Sequence, residues 1–387
     1  MTNIKLFNKI DKVGLDKFDK EKYVLGEDLA DYTGVLVRSA ALHEVEFPAS
    51  LKAIARAGAG VNNIPIDKCA DEGIVVFNTP GANANGVKEL AIAALLLASR
   101  NIAGGIEWAK TLIGTGDVAK QVEKGKSAFV GPEILGKTLG VIGLGAIGGM
   151  VANTADVLGM SVIGCDPYIT VNAAWGLNKT VKKANTYDEV YASSDYVTIH
   201  VPSTNETRGM INAETIAKMK DGVRIINLAR GDLVNNDDLK AALDSGKVAS
   251  YVTDFPNDEI LGYKNTVCIP HLGASTPESE ENCAKMAADE LIDYIENGNI
   301  TNSVNYPSIS QPRSTEYRMV VLHKNIPSML ANISAVLGGD KVNIDAMSNR
   351  SKGNYAATII DADSEITEDI VDDVKKIEGV IRVIVIG

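Results

Sequence analysis

The sequence has few of the features that would place it in a membrane or outside the cell. Its longest apolar run, LAIAALLLA at residues 90–98, is shorter than the stretch of about 20 residues that spans a bilayer. It has four scattered cysteines and no C-x-x-C pair, so no disulfide framework or metal site is expected. The first residues, MTNIKLFNKIDKVG, lack the apolar core of a signal peptide. We therefore expect a cytoplasmic protein whose thiols are buried, reduced and inert.

Basic charge is also scarce. The formal net charge is −12, and no long run of lysine and arginine interrupts the sequence. This balance argues against nucleic acid or an anionic membrane as the main partner. With 387 residues and an otherwise ordinary composition, the chain is long enough for two or three globular domains.

What the chain does contain is a repeated alternation of short apolar segments with helical patterns. Such an alternation predicts βαβ units and parallel sheets. Strands are expected at residues 34–38, 51–56 and 74–78, and then in a second series at 137–145, 161–166, 195–201, 223–229, 248–254 and 266–270. Long helices are expected at residues 87–100 and 277–297.

The C-terminal fifth of the chain has a different pattern. A polar segment rich in proline and serine, NYPSISQPRSTE, predicts a linker over residues 306–316. Beyond it, residues 317–387 alternate strands and helices in the order βαββαβ. That order predicts a separate ferredoxin-like module.

One glycine motif points to a dinucleotide. Gly143, Gly145 and Gly148 form G-x-G-x-x-G between a strand and a helix, and Asp166 ends the next strand. Glycines at these positions allow a tight turn, close approach of the pyrophosphate and close helix packing. Asp166 would accept hydrogen bonds from the ribose and repel a 2′-phosphate, which favours NAD over NADP. The alternative is a plain strand–turn–helix in which Asp166 is only a cap.

Four polar residues follow the ends of strands in the second series: His200, Arg230, Asp254 and His271. Parallel strands end at the same edge of a sheet, where ligands bind in doubly wound folds. Histidine suits the acid/base step of an alcohol or ketone oxidoreductase, because its proton exchanges near neutral pH. His271 is the leading candidate, since small residues follow it and leave room for a ligand. His43 is interpreted as solvated, His200 as a residue that lines the cofactor cleft, and His323 as part of the C-terminal module.

The partner of each charged candidate stays open at this point. Asp254, Asp258 and Glu259 could each orient His271, and spacing alone does not choose among them. Arg230 at the end of an apolar strand needs an anion. That anion is either a bound ligand or a neighbour such as Asp232.

The motifs taken together resemble a known family. RAGAGVNNIPID, FNTPGANA, GKTLGVIGLGAIG, HVPSTNETRGMI, INLARGDLVNNDDLKAAL and PHLGAST occur in the order found in the D-isomer-specific 2-hydroxyacid dehydrogenases. The resemblance implies that Arg230, Glu259 and His271 are catalytic and that Asp254 contacts the nicotinamide carboxamide. Two departures are Ala146, where the family usually has a basic residue, and a short stretch between Glu259 and His271.

The resemblance also implies an α/β fold with three parts: a discontinuous flavodoxin-like substrate domain (residues 1–98 plus 281–305), a Rossmann-type doubly wound NAD domain (99–280) and the C-terminal module. The residues expected to bind NAD are Thr79, Gly143, Gly145, Ala146, Ile147, Gly148, Asp166, Val201, Pro202, Leu228, Ala229, Asp254, His271, Gly273 and Ala274. Those expected to bind substrate are Arg38, Arg56, Ala59, Gly60, Val61 and Arg230. For Arg38 and Arg56 the alternative is a role in surface or interdomain salt bridges.

The resemblance further implies the oxidation of 3-phospho-D-glycerate to 3-phosphohydroxypyruvate, and we expect the protein to be a homodimer or homotetramer. Two alternatives remain: another D-2-hydroxy acid, such as 2-hydroxyglutarate, glycerate or lactate, or a non-catalytic NAD-sensing interaction protein. The C-terminal module resembles an ACT domain, which implies an L-serine site at His323, Asn325 and Asn343. At Ser328 the family usually has glycine. The alternative for this module is a role in assembly only.

Overall fold

The structure is a computed structural model that describes residues 1–387. The chain folds into two compact units. The first unit combines Met1–Asn83 with Pro277–Gly387, and the second unit is Ala84–Thr276. The second unit is therefore inserted into the chain of the first.

The N-terminal part of the first unit is a five-stranded parallel sheet with the order β2-β1-β3-β4-β5, which is the flavodoxin-like order. Its strands are β1 Thr2–Phe7, β2 Tyr23–Gly26, β3 Gly34–Val37, β4 Ala53–Arg56 and β5 Val75–Phe77, with short helices α1 Lys12–Leu15 and α2 Ile66–Asp71. The sequence analysis did not predict β1 and β2. Strand β1 (TNIKLF) mixes polar residues and lysine with apolar ones, and β2 (YVLG) has only four residues, so neither stands out as a long apolar run.

The second unit contains the expected alternation of strands and helices. Its helices are α3 Ala84–Ser99, α4 Ile102–Thr111, α5 Val118–Gly125, α6 Ala146–Val157, α7 Val171–Trp175, α8 Tyr187–Ser193, α9 Ala213–Lys218 and α10 Asn236–Ser245. Its strands are β6 Thr138–Ile142, β7 Ser161–Cys165, β8 Lys182–Lys183, β9 Tyr196–Ile199, β10 Val223–Asn227, β11 Val248–Thr253 and β12 Thr266–Cys268. Short 3₁₀ turns lie at Lys126–Phe129, Gly231–Leu233 and Ile260–Gly262.

The seven strands of the second unit form one parallel sheet in the order β12-β11-β10-β9-β6-β7-β8. The sequence runs outward from β6 in both directions, which is the Rossmann order. Helices cover both faces, so β9 consists of buried residues throughout. The expected doubly wound domain is confirmed, and its β9–β12 strands all end at one edge.

The chain then returns to the first unit through the long helix α11 Pro277–Asn297. It continues as β13 Tyr317–Lys324, α12 Met329–Gly339, β14 Ile344–Lys352, β15 Tyr355–Ala362, α13 Glu368–Lys375 and β16 Val380–Ile386. These four strands form an antiparallel sheet in the order β14-β15-β13-β16. The expected βαββαβ order is confirmed for this C-terminal module.

Two expected features of the domain organisation differ from the structure. Helix α3, expected in the substrate domain, packs on α6 and β11 and belongs to the second unit. The segment expected to be a polar linker buries Tyr306, Ile309 and Gln311. Its polar residues have partners: for example, Gln311 Nε2 donates to Asp361 Oδ2 (3.0 Å). The segment is therefore part of the packed structure of the first unit.

All four cysteines are unpaired, and only Cys268 is partly exposed. Burial raises the pKa of the Cys69 thiol to about 12 and also raises the pKa of the Cys165, Cys268 and Cys283 thiols. The thiols are therefore protonated near neutral pH. As for membranes, none of the helices alone has the length and apolar character of a span; only the bent pair of α3 and α4 meets that test, by length and composition.

Candidate active site

The reacting groups expected from the sequence lie at the carboxyl edge of the sheet in the second unit. His200, Arg230, Asp254 and His271 each follow a strand, namely β9, β10, β11 and β12. Because these strands are parallel neighbours, their ends meet at one edge. The fold therefore brings side chains from distant parts of the sequence to one place.

Arg230 is held there by the backbone turn after β10. Asn227 Nδ2 donates to the carbonyl of Arg230 (2.7 Å), and Asn227 Oδ1 accepts from the backbone N–H of Ala229 (3.2 Å). The guanidinium is exposed and donates to the carbonyl of Ala229 (2.6 Å). Asp232 is not its partner, since that carboxylate bonds Ser203 (2.6 Å) and Arg208 (3.3 Å).

Asp254 is the buried carboxylate of the site. Its side chain is 2% exposed, and its Oδ1 has no hydrogen-bond partner. Burial raises the pKa of Asp254, while the positive charges of His271 and Arg230 act in the opposite direction. Both cationic groups thus lie near enough to Asp254 to influence its ionisation. A buried oxygen without a partner favours contact with a polar ligand group.

His271 is exposed, and its ring meets Phe255 edge-on with the centroids 4.7 Å apart. Neither of its ring nitrogens has a hydrogen-bond partner in the protein. Phe255 follows Asp254 directly, so the same turn carries the carboxylate and the ring that supports the histidine. The sequence analysis missed Phe255, although its position beside Asp254 was the available signal.

Glu259 forms no hydrogen bond with His271. It is exposed, and its Oε2 accepts from Asn236 Nδ2 (3.1 Å). Asp258 is also exposed. Of the three carboxylates left open by the sequence, Asp254 is the buried one, and the charge of His271 acts against the rise of its pKa.

His200 has a structural environment. Its Nε2 shares a hydrogen bond with Thr198 Oγ1 (2.9 Å), and burial lowers the pKa of its imidazole. Its backbone packs on the glycine turn, because a Cβ on Gly143 would lie 2.6 Å from the His200 carbonyl oxygen. His200 is therefore neutral and supports the turn.

The glycine turn fits a dinucleotide. Gly143 has φ +86°, and a Cβ on Gly148 would overlap the carbonyl oxygen of Gly143. By contrast, a Cβ on Gly145 would meet nothing within 4 Å, so this side of the turn is open. Gly145 is also the N-cap of α6 and gives its N–H groups no side-chain partner. Open space before an uncapped helix N-terminus suits a pyrophosphate.

Asp166 lies beside the same turn. Its Oδ2 accepts from the backbone N–H of Leu144 (2.9 Å), and its Oδ1 accepts from that of Tyr168 (2.9 Å). The carboxylate is thus fixed at the end of β7 with further acceptor capacity, as ribose binding requires. Further residues expected to bind NAD follow strand ends of this sheet: Val201, Pro202, Leu228, Ala229, Gly273 and Ala274. Ala146 and Ile147 begin α6.

The expected substrate-phosphate residues lie in the first unit, after β3 and β4. Arg56 ends β4, and its Nε donates to the carbonyl of Arg38 (3.0 Å). Its guanidinium lies against the backbone of Gly58, where φ is +154° and a Cβ would overlap Nη1. The Arg56 side chain thus lies against the loop of residues 57–61, which includes Ala59, Gly60 and Val61.

Arg38 and Thr79, expected to bind substrate and NAD, each have a partner within the first unit. Arg38 Nη2 forms a salt bridge with Glu280 Oε1 on α11 (2.6 Å), which is the salt-bridge alternative that the sequence left open. Thr79 is fully buried in the first unit, and its N–H donates to the carbonyl of Gly58 (3.2 Å). Glu280 was not expected from the sequence, since only the packing of α11 brings it to Arg38.

In the C-terminal module, the three expected serine-binding residues have unlike environments. His323 is buried, and its two ring nitrogens bond the Lys324 carbonyl (2.8 Å) and Thr358 Oγ1 (2.9 Å). Asn325 is exposed, and its Nδ2 donates to the carbonyl of Gly353 (3.1 Å). Asn343 is exposed at the start of β14. Ser328 has φ +65°, which explains why glycine suits this position.

Comparison with known proteins agrees with this geometry. Residues 92–273 match the family described as D-isomer specific 2-hydroxyacid dehydrogenase, NAD binding domain. D-3-phosphoglycerate dehydrogenase of Archaeoglobus fulgidus is 36% identical over 326 residues, which cover 81% of this chain and 58% of that protein. D-3-phosphoglycerate dehydrogenase 1 of Saccharomyces cerevisiae is 31% identical over 340 residues, or 81% of this chain and 68% of that protein.

The chain thus spans a little over half the length of several curated relatives: 58% for the Archaeoglobus protein and 54% for D-3-phosphoglycerate dehydrogenase of Bacillus subtilis. Among solved structures, NAD⁺-bound 3-phosphoglycerate dehydrogenase of Entamoeba histolytica superposes with a TM-score of 0.61 at 27% identity, covering 79% of this chain and 98% of that one. A glyoxylate reductase from Paecilomyes thermophila gives 0.64 at 26% identity, covering 78% and 98%. The chain belongs to the D-isomer specific 2-hydroxyacid dehydrogenase family.

Proposed function

We propose that this protein is an NAD-dependent dehydrogenase that oxidises 3-phospho-D-glycerate at C2 to 3-phosphohydroxypyruvate, the first step of L-serine biosynthesis. The observation that carries the proposal is the convergence of Arg230, His271 and the buried Asp254 at one sheet edge, beside a turn that fits a dinucleotide. The relatives named D-3-phosphoglycerate dehydrogenase support the choice of substrate.

Each residue has a distinct task in this proposal. When bound, NAD supplies the acceptor for the hydride from C2. Arg230 binds the substrate carboxylate through its planar fork and polarises the C2–O bond. His271 takes the hydroxyl proton as the C2–H bond breaks. The imidazolium that forms is stabilised by a carboxylate, for which the family resemblance implies Glu259.

Asp254 is a second candidate carboxylate for the support of His271. Its charge lies near the ring, and the hydrogen bond of Glu259 goes to Asn236 instead. Asn236 engages only Oε2 of Glu259, so Oε1 can accept a hydrogen bond from the histidine when substrate binds. Comparison of Glu259→Gln with Asp254→Asn separates the two roles: a loss in kcat alone indicates support of the histidine, and weaker NAD binding indicates cofactor contact.

The substrate phosphate is assigned to the first unit. Arg56 and the backbone of residues 57–61 would hold it, with Arg38 contributing once its salt bridge with Glu280 opens. Arginine suits a phosphate because its donors match two oxygens at once. A non-phosphorylated acid has no phosphate oxygens to accept hydrogen bonds from these groups, so the phosphate sets the specificity.

The test is an NAD reduction assay across a panel of acids: 3-phospho-D-glycerate, D-glycerate, D-lactate and D-2-hydroxyglutarate, each with its L-isomer. We expect kcat/KM for 3-phospho-D-glycerate to exceed that of every other acid by about 100-fold or more, since loss of buried polar contacts costs that much. A higher value for another acid would reassign the substrate. No turnover with any acid would favour the NAD-sensing alternative.

We also propose that the protein is a homo-oligomer, a dimer or a tetramer, in the cytoplasm. Helices α4 and α5 have no buried residues, and Ile106 of α4 leaves half of its surface exposed. Ile113 and Val130 nearby are exposed as well. Exposed apolar side chains on one segment favour a protein contact. Light scattering would give the mass, and Ile113→Lys should weaken assembly if this segment mediates it.

L-serine is the proposed effector of the C-terminal module. Asn325 and Asn343 offer exposed amide groups, which can donate to a carboxylate and accept from an ammonium group. His323 would act by holding the end of β13 rather than by contacting the ligand, since both its nitrogens are engaged. Calorimetry with L-serine tests this. Binding that Asn343→Ala abolishes would support the site, and no binding at millimolar serine would leave the module a structural role only.

A further inference from the structure

The C-terminal module shares a hydrophobic core with the N-terminal sheet. Its contribution is the face of the antiparallel sheet that carries Val320, Leu322, Ala357, Ile359, Ile384 and Ile386. These side chains belong to the same buried cluster as Ile4, Leu36 and Phe77 of the parallel sheet and Leu291 of α11. The module is therefore continuous with the substrate-binding part of the first unit and not a tethered domain.

A first polar tie joins the module to the strand that carries Arg56. Arg382 on β16 donates to the carbonyl of Leu51 and, through Nη2, to that of Ala49 (3.2 Å). Residues 49–52 lead directly into β4, which ends at Arg56. Close packing reinforces this tie, because a Cβ on Gly73, just before β5, would lie 2.7 Å from the Cβ of Arg382.

A second tie comes from Lys352 at the end of β14. Its Nζ donates to the carbonyls of Ser303 and Val304, both at 3.0 Å. Ser303 forms a bridge with Phe77 at the end of β5, and the N–H of Val304 donates to the carbonyl of Val76 (2.9 Å). Lys352 thus fixes the segment that borders β5.

The residues after β5 in turn hold residues 57–61, which we call the substrate loop. Asn78 Nδ2 donates to the carbonyl of Ala59 (2.6 Å), and the N–H of Thr79 donates to the carbonyl of Gly58 (3.2 Å). The N–H of Asn78 itself donates to the carbonyl of Asn302 (3.4 Å), next to the segment that Lys352 contacts. The loop is therefore supported from both of its flanking strands, and each flank is tied to the module by one cation.

We propose that Arg382 and Lys352 are positioning residues for the substrate loop, so that the C-terminal module helps to form the phosphate site. Neither residue contacts the substrate. Arg382 sets the start of β4, and Lys352 sets the segment beside β5 from which Asn78 and Thr79 reach the loop. This inference rests on the proposed function only in naming phosphate as the ligand.

Steady-state kinetics of the full-length protein provide the first test. We expect Arg382→Gln and Lys352→Met each to raise KM for 3-phospho-D-glycerate by about 10-fold, with kcat and KM for NAD nearly unchanged, because a misplaced binding group costs affinity. Arg350→Gln is the matched control. Arg350 is an exposed cation on the same strand as Lys352 and has no hydrogen-bond or ion-pair partner.

Hydrogen exchange of the backbone amides of residues 57–61, without any ligand, is the second test. It should be faster in both variants than in the wild type and in Arg350→Gln. Lys352→Met changes an exposed side chain and removes only its hydrogen bonds to two backbone carbonyls, so we expect this variant to fold. It therefore tests the inference by itself if Arg382→Gln fails to fold. Unchanged loop exchange together with an unchanged KM in folded Lys352→Met would overturn the inference, even if its melting temperature fell. If the wild type does not oxidise 3-phospho-D-glycerate but loop exchange still responds, the positioning role stands and the proposed substrate is wrong.

Discussion

Two histidines that follow or end a strand show how the same residue type takes opposite roles in two regions of this molecule. His271, at the reacting centre of the second unit, is exposed and has neither ring nitrogen bonded to the protein. His323, in the C-terminal module of the first unit, is 2% exposed and has both nitrogens bonded. The ring nitrogens of His271 are available to a ligand, whereas both ring nitrogens of His323 are bonded within the C-terminal module.

The same contrast holds for one buried carboxylate in each of the two regions. Asp254 near His271 is buried with an oxygen that has no partner, which a stable core would normally avoid. Asp361 in the module is also buried, but it pairs with Arg318 through bonds of 2.5 and 2.8 Å. Burial acts to raise the pKa of Asp361, yet the bonds from Arg318, Gln311 and Ser314 hold it at about 2. Of these two carboxylates, the unsatisfied one lies at the proposed reacting centre and the satisfied one belongs to a structural network.

The largest effect should follow from removing the exposed histidine. His271→Ala should lower kcat by about 10²- to 10⁴-fold, because proton transfer from the substrate hydroxyl loses its base. NAD affinity, measured by fluorescence titration, should change little, since the glycine turn and Asp166 hold most of the cofactor. A kcat close to that of the wild type would remove His271 from the mechanism.

The glycine turn should be the next most sensitive feature. Gly148→Ala places a Cβ on the carbonyl oxygen of Gly143 and should weaken NAD binding by about 10-fold or more, since the turn must open. Gly149→Ala is a matched control on the same helix, where the nearest atoms lie 3.6 Å from the added Cβ. Equal NAD affinity in the two variants, measured by calorimetry, would show that the turn is not the cofactor cradle.

His323→Gln should act on stability. A glutamine amide cannot keep both the bond to the Lys324 carbonyl and the bond to Thr358 Oγ1, so we expect the free energy of unfolding to fall by about 1–3 kcal/mol. The loss in kcat per folded molecule should be far smaller than for His271→Ala. Urea unfolding and turnover measured on the same preparation check this. Unchanged stability, or a kinetic loss as great as that of His271→Ala, would end the contrast between the two histidines.

The last prediction concerns pH and a buried glutamate of α11, and it leaves catalysis untouched. Glu290 Oε1 accepts from Asn302 Nδ2 (2.7 Å), its Oε2 has no partner, and burial raises its pKa to about 7. The folded state thus binds the Glu290 proton more tightly than the unfolded state does. The contribution of the protonated Glu290 to the free energy of unfolding is therefore complete below about pH 4.5 and is lost as the pH rises through about 7. That loss should amount to about 3 kcal/mol, since each unit of pKa difference corresponds to about 1.4 kcal/mol.

The measurement is the melting temperature from pH 4.5 to pH 8. Glu290→Gln cannot ionise, so it should lose less stability across this window than the wild type does. Glu281→Gln, a partly exposed glutamate of the same helix, is the control and should follow the wild type. A wild-type curve that matches the Glu290→Gln curve would show that Glu290 is already ionised throughout.

The sequence predicted the second unit well, because each of its functional motifs lies within a short stretch of the chain. The G-x-G-x-x-G turn, Asp166 and the strand ends before Arg230 and His271 are each readable within one βα unit. Continuous apolar strands also made the parallel sheets visible. The boundary near α3 was not readable, since an apolar helix of this kind can pack on either unit.

The first unit was harder because its decisive contacts join distant segments. The Arg38–Glu280 salt bridge links residues 242 positions apart, and Arg382 meets Leu51 across 331 positions. No local pattern marks such pairs. The segment at 306–316 also looked polar and exposed, yet its polar groups are bonded to Asp361 or within the first unit. Polar composition cannot distinguish a solvated linker from a buried hydrogen-bond network.

The most direct test of the central claim compares NADH formation from 3-phospho-D-glycerate and from D-glycerate by the wild type and Arg56→Gln. The wild type should prefer the phosphorylated acid by about 100-fold or more in kcat/KM, and Arg56→Gln should lose most of that preference while its activity on D-glycerate changes little. A wild type without preference, or a variant that loses both activities equally, would contradict the assignment of this protein as a dehydrogenase that reads the substrate phosphate through Arg56.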